Sequence, residues 1–278
     1  IRKWYSELPA ELTKTLADAY MLLKSICKTA VGDKLLAENP CQIDNATVST
    51  PKVQQIILTS DEIGQLATLV TTKLRAYVLI SFWLGLRYGE CVELRRSDFS
   101  ADLSSVYVAR AFTHITKKQA GTDGKTCTVK TPKNGRAREH SIPPHIRDDV
   151  KNHLARYVNE GPDALLFEPV RGGCHLSEKV IRDALAEPLA TIGKPKMRIH
   201  DMRHTYGTLV ASTGASLKET MDRLGHTSAA ASLRYQHVAA GRDSVISASL
   251  SKLATAPKLT AVPDNADESD QTEMSDAS

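Results

Sequence analysis

The 278 residues are 41% hydrophobic and 24% charged, the makeup of about two globular domains, each large enough to hold a core. The longest apolar run, YVLISFWLGL at 77–86, is too short to span a bilayer, and no basic segment followed by an apolar stretch marks a secretory signal. Five scattered cysteines without a C-x-x-C pair point to reduced thiols in a cytoplasmic protein and against a thiolate zinc site.

The net charge of +4 conceals an asymmetry. Residues 254–278 hold six acids and one lysine, which leaves 35 basic and 26 acidic residues in 1–253, a net +9. A basic body with an acidic tail suits a partner that is a polyanion.

The chain opens IRKWYSELP, without an initiator Met, as though inside a domain. From Pro9, Leu12, Leu16, Ala19, Leu23, Ile26 and Ala30 recur at alternating steps of four and three, which predicts one apolar helix face ending near Gly32. Residues 42–57 are polar and aperiodic, a linker candidate. Helix resumes after the capping box TSDE, in which Thr59 accepts from the amide of Glu62 and Glu62 reaches back. An apolar helix over 73–84 follows, with Gly85 suited to a left-handed cap.

Between 104 and 142 the pattern changes to strands, SSVYVARAF, KTCTVK and AREHSIPP, joined by polar turns containing GTDGK and KNGR. Helices return at 144–159 and 178–191, opened by Pro144 and Ser177. Another spans 201–212 and stops at Gly214. The capping box SLKE at 216–219 opens the next, Gly225 closes it, and Thr227 is the expected cap of a last helix bearing Tyr235. The fold class is mainly α with a small antiparallel β-sheet. The last 25 residues, with one Leu and no aromatic, are expected to be disordered.

One cluster, HDMRH, invites a zinc reading. His200 and His204 are four apart on one helical face with an acid after the first, as in H-E-x-x-H metalloproteases. Against this, Asp201 is one methylene shorter than that motif's base, and Arg203 sets a permanent cation beside the metal. A phosphate reading uses the same residues better. Arg203 follows His200 by three positions, on one side of a turn, and Arg87 stands just after the break in FWLGLRYGE. Two guanidinium groups can hold both non-bridging oxygens of a phosphodiester and stabilise a pentavalent transition state.

The ordered set GLRYGE, lysines in VKTPKNGRAR, HDMRH, LGH and then Tyr resembles the tyrosine recombinase, or phage integrase, family over roughly 52–250. Matched by position, the resemblance implies catalytic Arg87, Lys133, His200, Arg203, His226 and Tyr235. It also implies a tyrosine-recombinase catalytic fold at 46–253, part of a helical core-binding domain at 1–45, and the acidic tail 254–278.

On that resemblance Tyr235 attacks the scissile phosphate to give a 3′-phosphotyrosyl link and a free 5′-hydroxyl. A phenol with an ordinary pKa near ~10 is mostly protonated at neutral pH. His200 is then the proton acceptor, with the two arginines lowering the cost of the phenolate. His226 donates to a non-bridging oxygen, and Lys133 protonates the departing 5′-oxygen, with Lys130 as the alternative. Glu90 is expected to orient Arg87 or His200. Lys117, Lys118, Arg136 and Arg138 are expected near DNA backbone, and Tyr88 and Tyr206 in packing. His114, His140, His145, His153, His175 and His237 belong to no constellation.

The expected activity is site-specific DNA recombination, without metal or cofactor. The expected partners are double-stranded DNA recombination sites, a homotetramer on DNA and a DNA-bending accessory factor, with no membrane. A type IB topoisomerase-like nicking and resealing activity shares the nucleophile chemistry and stays open. More distant alternatives are a non-catalytic DNA-binding relative and a zinc hydrolase built on HDMRH.

Overall fold

The computed structural model describes residues 1–9, 13–47, 55–114, 127–132, 137–170, 172–236, 247–248 and 250–251. The chain divides into two compact units, Ile1–Tyr206 and Gly207–Ser278. Among the described residues no helix is long and apolar enough to cross a membrane.

The first unit begins with α1 (Arg2–Ser6) and α2 (Thr13–Gly32). A small cluster of Tyr20, Cys27, Cys41 and Ala46 holds them, with Tyr5, Leu23 and Ile43 packed against it. The Tyr20 hydroxyl accepts the Ile43 amide at 2.7 Å, which ties the connection after α2 back onto the helix. The buried line along α2 is Ala17, Tyr20 and Cys27. It is therefore rotated from the predicted face, and Ile26 is 57% exposed. Two aromatic rings, Tyr5 and Tyr20, meet edge to face at 5.4 Å and decide which side turns inward.

After the aperiodic stretch, α3 (Ser60–Leu69) starts with the capping box read from TSDE: the Glu62 amide donates to the Thr59 hydroxyl, and the Thr59 amide to the Glu62 carboxylate. Next, α4 (Thr72–Trp83) buries Leu74 and every residue from Ala76 to Phe82. A helix apolar on all sides sits at the centre of a core, and α4 packs against α3, α5 (Tyr88–Val92) and α6 (Pro144–Tyr157). Gly85 then takes φ +61°, the left-handed conformation that glycine adopts without steric cost.

Among the described residues the strands form two small antiparallel ladders. β1 (Ser105–Val108) pairs antiparallel with β4 (Arg138–Ser141), and β2 (Ala111–His114) with β3 (Cys127–Lys130). The predicted strand SSVYVARAF is thus broken at Ala109 and Arg110. Arg110 leaves the ladder to hold both oxygens of Asp98, at 2.7 Å each, in a 3-10 turn Arg96–Asp98. α6 starts at Pro144 as predicted, and α7 (Glu178–Thr191) is capped by Ser177, whose hydroxyl accepts the Val180 amide.

One expectation about the cysteines fails. Cys127 and Cys174 form a disulfide across Cα atoms 6.6 Å apart, within the reach of such a bond. Cys27, Cys41 and Cys91 are free and buried. A spacing of 47 residues carries no signal that the two thiols meet.

The unit boundary falls inside α8 (Ile199–Ser212). Beyond it, α9 (Leu217–Leu224) has the predicted Ser216–Glu219 capping box and ends at Gly225 with φ +59°. α10 (Ala229–Gln236) begins one residue later than a Thr227 cap would require. The tail 254–278 and the linker residues 48–54 lie outside the described residues.

Candidate active site

In the first unit the site is built on the turn that follows α4. The left-handed Gly85 reverses the chain so that Arg87 stands at the start of α5. Its amide donates to Glu90 Oε2 at 2.9 Å and its guanidinium to Glu90 Oε1 at 2.9 Å. A carboxylate three residues into a helix can accept both groups at once, and its charge favours the helix N-terminus. Of the two targets expected for Glu90, the arginine is the one it holds.

Glu90 is 1% exposed. Burial pushes its pKa up, but the hydrogen bonds and charge of Arg138, then of Arg87, outweigh this and bring it down to about 2. Arg138 meets the carboxylate with a fork, Nη1 to Oε1 at 3.1 Å and Nη2 to Oε2 at 2.7 Å. Expected near DNA backbone, Arg138 instead lies in a buried ion pair, because a buried carboxylate needs more than one cation around it.

The second arginine comes from α8. Arg203 is 3% exposed, and its Nη1 donates to the Gly85 carbonyl at 2.6 Å. Tyr206, one turn further along, lays its ring over Gly85 so closely that a Cβ there would overlap it. Both side chains therefore hold the turn that presents Arg87. Tyr206 and Tyr88 are packing residues as expected. The Tyr88 hydroxyl donates to the Leu176 carbonyl at 2.7 Å, and its pKa is raised to about 12 by burial.

His200 is exposed at the start of α8. Partial enclosure of its ring, then the charge of Arg203, with smaller effects of Arg198 and Arg87, hold its pKa below the ordinary value, against the pull of Asp201. It lines a cleft of about 460 Å³ with Arg182, Lys196 and Arg198. His204 stands edge to face with it, ring centroids 4.7 Å apart. Asp201, the base that a zinc reading requires, is turned to Arg198: the Arg198 amide and Nε donate to its Oδ2 at 3.0 and 3.2 Å, and Nη2 to Oδ1 at 2.7 Å. Among the described residues no group of three or more His, Cys, Asp or Glu gathers as a metal would need.

In the second unit His226 and Tyr235 come together. The left-handed Gly225 turns the chain so that the His226 amide reaches the Met221 carbonyl at 2.9 Å. His226 Nδ1 is 2.7 Å from the Ser232 hydroxyl. The rings of His226 and Tyr235 lie nearly parallel, 15° apart in plane, with centroids 6.3 Å apart. Tyr235 is 3% exposed, and a Cβ at Gly207 would meet its ring at 2.7 Å. The nine-residue step from His226 to Tyr235 thus spans a turn and two helical turns, which returns the tyrosine ring beside the histidine.

Lys133, with Lys117, Lys118, Arg136 and His237, lies outside the described residues. Lys130 ends β3, exposed, opposite Ala111. A second buried network escaped the sequence reading. Glu93, 1% exposed, accepts from Arg95 Nη2 at 2.7 Å, lies 3.4 Å from Arg110 Nε as an ion pair, and pairs with His175, which stacks on Phe112. A glutamate one helical turn after Glu90 was its only trace.

Residues 56–242 match the family described as the phage integrase family, and the chain belongs to it. It is 38% identical over 256 residues to the putative prophage phiRv2 integrase of Mycobacterium tuberculosis, an alignment covering 91% of this chain and 66% of that protein. It is 34% identical over 258 residues to the integrase of Mycobacterium phage D29, again over 91% and 66%. The chain therefore spans 66% of the length of these two relatives. Its fold is that of the Tn1549 transposon integrase solved with transposon right end DNA: TM-score 0.70 at 17% identity, over 91% of this chain and 82% of that one.

Proposed function

We propose that the chain is the strand-cleaving and rejoining part of a site-specific DNA recombinase, as the integrases and tyrosine recombinases similar to it are named. The observation that carries this reading is the arginine turn: Arg87 held by Glu90, and Arg203 bonded to Gly85 two residues earlier. Guanidinium groups fixed by buried partners lose little freedom on gripping a phosphate, and so favour its transition state.

In the proposed reaction the Tyr235 oxygen attacks phosphorus and the 5′-oxygen leaves. The tyrosine proton passes to His200, and a proton from Lys133, or from Lys130, goes to the leaving oxygen. Arg87, Arg203 and His226 stabilise the charge on the non-bridging oxygens. One phosphoester replaces another, so the return attack by a 5′-hydroxyl rejoins DNA without a metal or a nucleotide. Residues 1–45 form a DNA-binding element, 46–253 the catalytic domain and 254–278 an acidic tail. Four copies act on two duplexes, with a DNA-bending factor as a further partner.

The test uses a pool of nicked duplexes with a randomised segment, where loss of a short 3′ fragment traps the covalent step. The wild-type chain is expected to give a protein–DNA adduct that survives denaturing electrophoresis, and Tyr235→Phe to bind the same duplexes without one. An adduct in Tyr235→Phe overturns the nucleophile. Religation of the cut strand alone, with no exchange between two duplexes, favours the topoisomerase-like reading.

A further inference from the structure

Arg138 is the first residue of β4, two positions past the segment 133–136 that contains Lys133. In the β1–β4 ladder Arg138 stands opposite Val108 and His140 opposite Val106. Directly opposed residues share a face, and both valines are buried, 1% and 0% exposed. Arg138 is thus a charge directed inward from a strand, at a position where an apolar residue would cost less. It uses three of its nitrogens: Nη1 and Nη2 on Glu90, and Nε on His140 Nε2 at 2.8 Å. His140 is 2% exposed and accepts at that atom, so it fixes the plane of the guanidinium.

Glu90 consequently receives two arginines on opposite missions. Arg87 is 24% exposed, whereas Arg138 is 12% exposed and faces the core. We propose that Arg138 is a positioning residue for Arg87, acting through Glu90: it keeps the buried carboxylate ionised and aligned, so that Arg87 is aimed at the phosphate. The same pair of bonds joins the Arg87 turn to β4. This inference rests on the recombinase reading above.

Among the described residues two cations meet Glu90. Arg87 faces it from the start of α5 and Arg138 from β4, with His140 behind Arg138. The neighbouring Cys91 thiol, bonded to Ser81 of α4 and pushed up to about 12 by burial, stays neutral. Removing Arg138 leaves burial opposed by Arg87. The carboxylate then takes up a proton at higher pH than before, and a protonated Glu90 no longer holds the Arg87 guanidinium.

The experiment measures the rate of adduct formation against pH, on a nicked duplex that the wild-type chain selects from the randomised pool. Arg138→Ala is expected to slow the reaction about 10–100-fold at neutral pH, the usual range for an outer-shell partner. Its acid limb is expected to move to higher pH. Arg138→Lys, which keeps the charge but not the fork, should fold where Arg138→Ala does not, and should shift the limb less, in the same direction. In a Glu90→Gln background neither substitution should move the limb, because Glu90 no longer adds to the titration of His200. An unmoved acid limb in Arg138→Ala or Arg138→Lys overturns the proposal, as does an equal shift in the Glu90→Gln background. Failure of the recombinase reading looks different: the wild-type chain itself forms no adduct on any duplex of the pool.

Discussion

The guanidinium of Arg203 donates to the carbonyl oxygen of Gly85 at 2.6 Å, so the arginine of α8 is bonded to the turn that presents Arg87, 118 residues earlier in sequence. With Tyr206 lying on the same glycine, α8 grips the turn by a charged hydrogen bond and an aromatic face.

The Gly85 turn should tolerate no side chain. An alanine there would hold φ near +61° at a cost of about 1 kcal/mol and would overlap the Tyr206 ring, adding about 1–3 kcal/mol of overpacking. Gly85→Ala is expected to lower the unfolding free energy by about 2–4 kcal/mol in urea titration. A loss below 0.5 kcal/mol would show that the turn is free to move.

Glu90 makes the first unit sensitive to acid. Its folded pKa of about 2 lies below the ordinary 4.5, so the unfolded chain binds the proton more readily. The stabilisation is complete above the unfolded value and is lost as pH falls from about 4.5 towards 2, up to about 3 kcal/mol in all. Glu90→Gln should flatten the stability–pH curve in that window, whatever it does to stability at neutral pH. An unchanged slope would mean that Glu90 is not the group responsible.

His200 carries the opposite chemistry. Its pKa is lowered from 6.5, so the neutral, proton-accepting form prevails at pH 7 and somewhat below 6.5. The acid midpoint of adduct formation by the wild-type chain should lie below 6.5. A midpoint above 6.5 would contradict His200 as the acceptor.

Much of this frame is written in local sequence. The Thr59–Glu62 and Ser216–Glu219 capping boxes and the glycine turns at 85 and 225 depend on neighbours three or four residues away, and all were legible. The features that were missed depend on distance. Arg138 lies in the predicted strand AREHSIPP and reads as a cation for DNA backbone, but β4 turns it onto Glu90, 48 positions back. Nothing near Cys127 signals Cys174. The four-three pattern of α2 gave the helix but not its inward side, which the Tyr5–Tyr20 contact sets. The candidate histidines, arginines and tyrosine were visible as an ordered set because each sits in a short motif of its own.

Gly207 offers a test of how closely the tyrosine is seated. A Cβ at that position meets Cζ of Tyr235 at 2.7 Å, too near for the ring to stay where it is. Gly207→Ala should keep the DNA affinity of the wild type and slow adduct formation about 10²-fold, the cost of a displacement of about 1 Å at a reacting group. Wild-type rates in this variant would show that the ring moves away from Gly207 before it reacts.

Peptide mapping shows whether Tyr235 becomes joined to DNA. The wild-type adduct, trapped on the nicked duplex and digested with nuclease and protease, should yield one peptide containing Tyr235 with a nucleotide attached through a phosphate on that tyrosine. A nucleotide carried instead by the peptide of Tyr206, Tyr88 or any other residue would contradict the account.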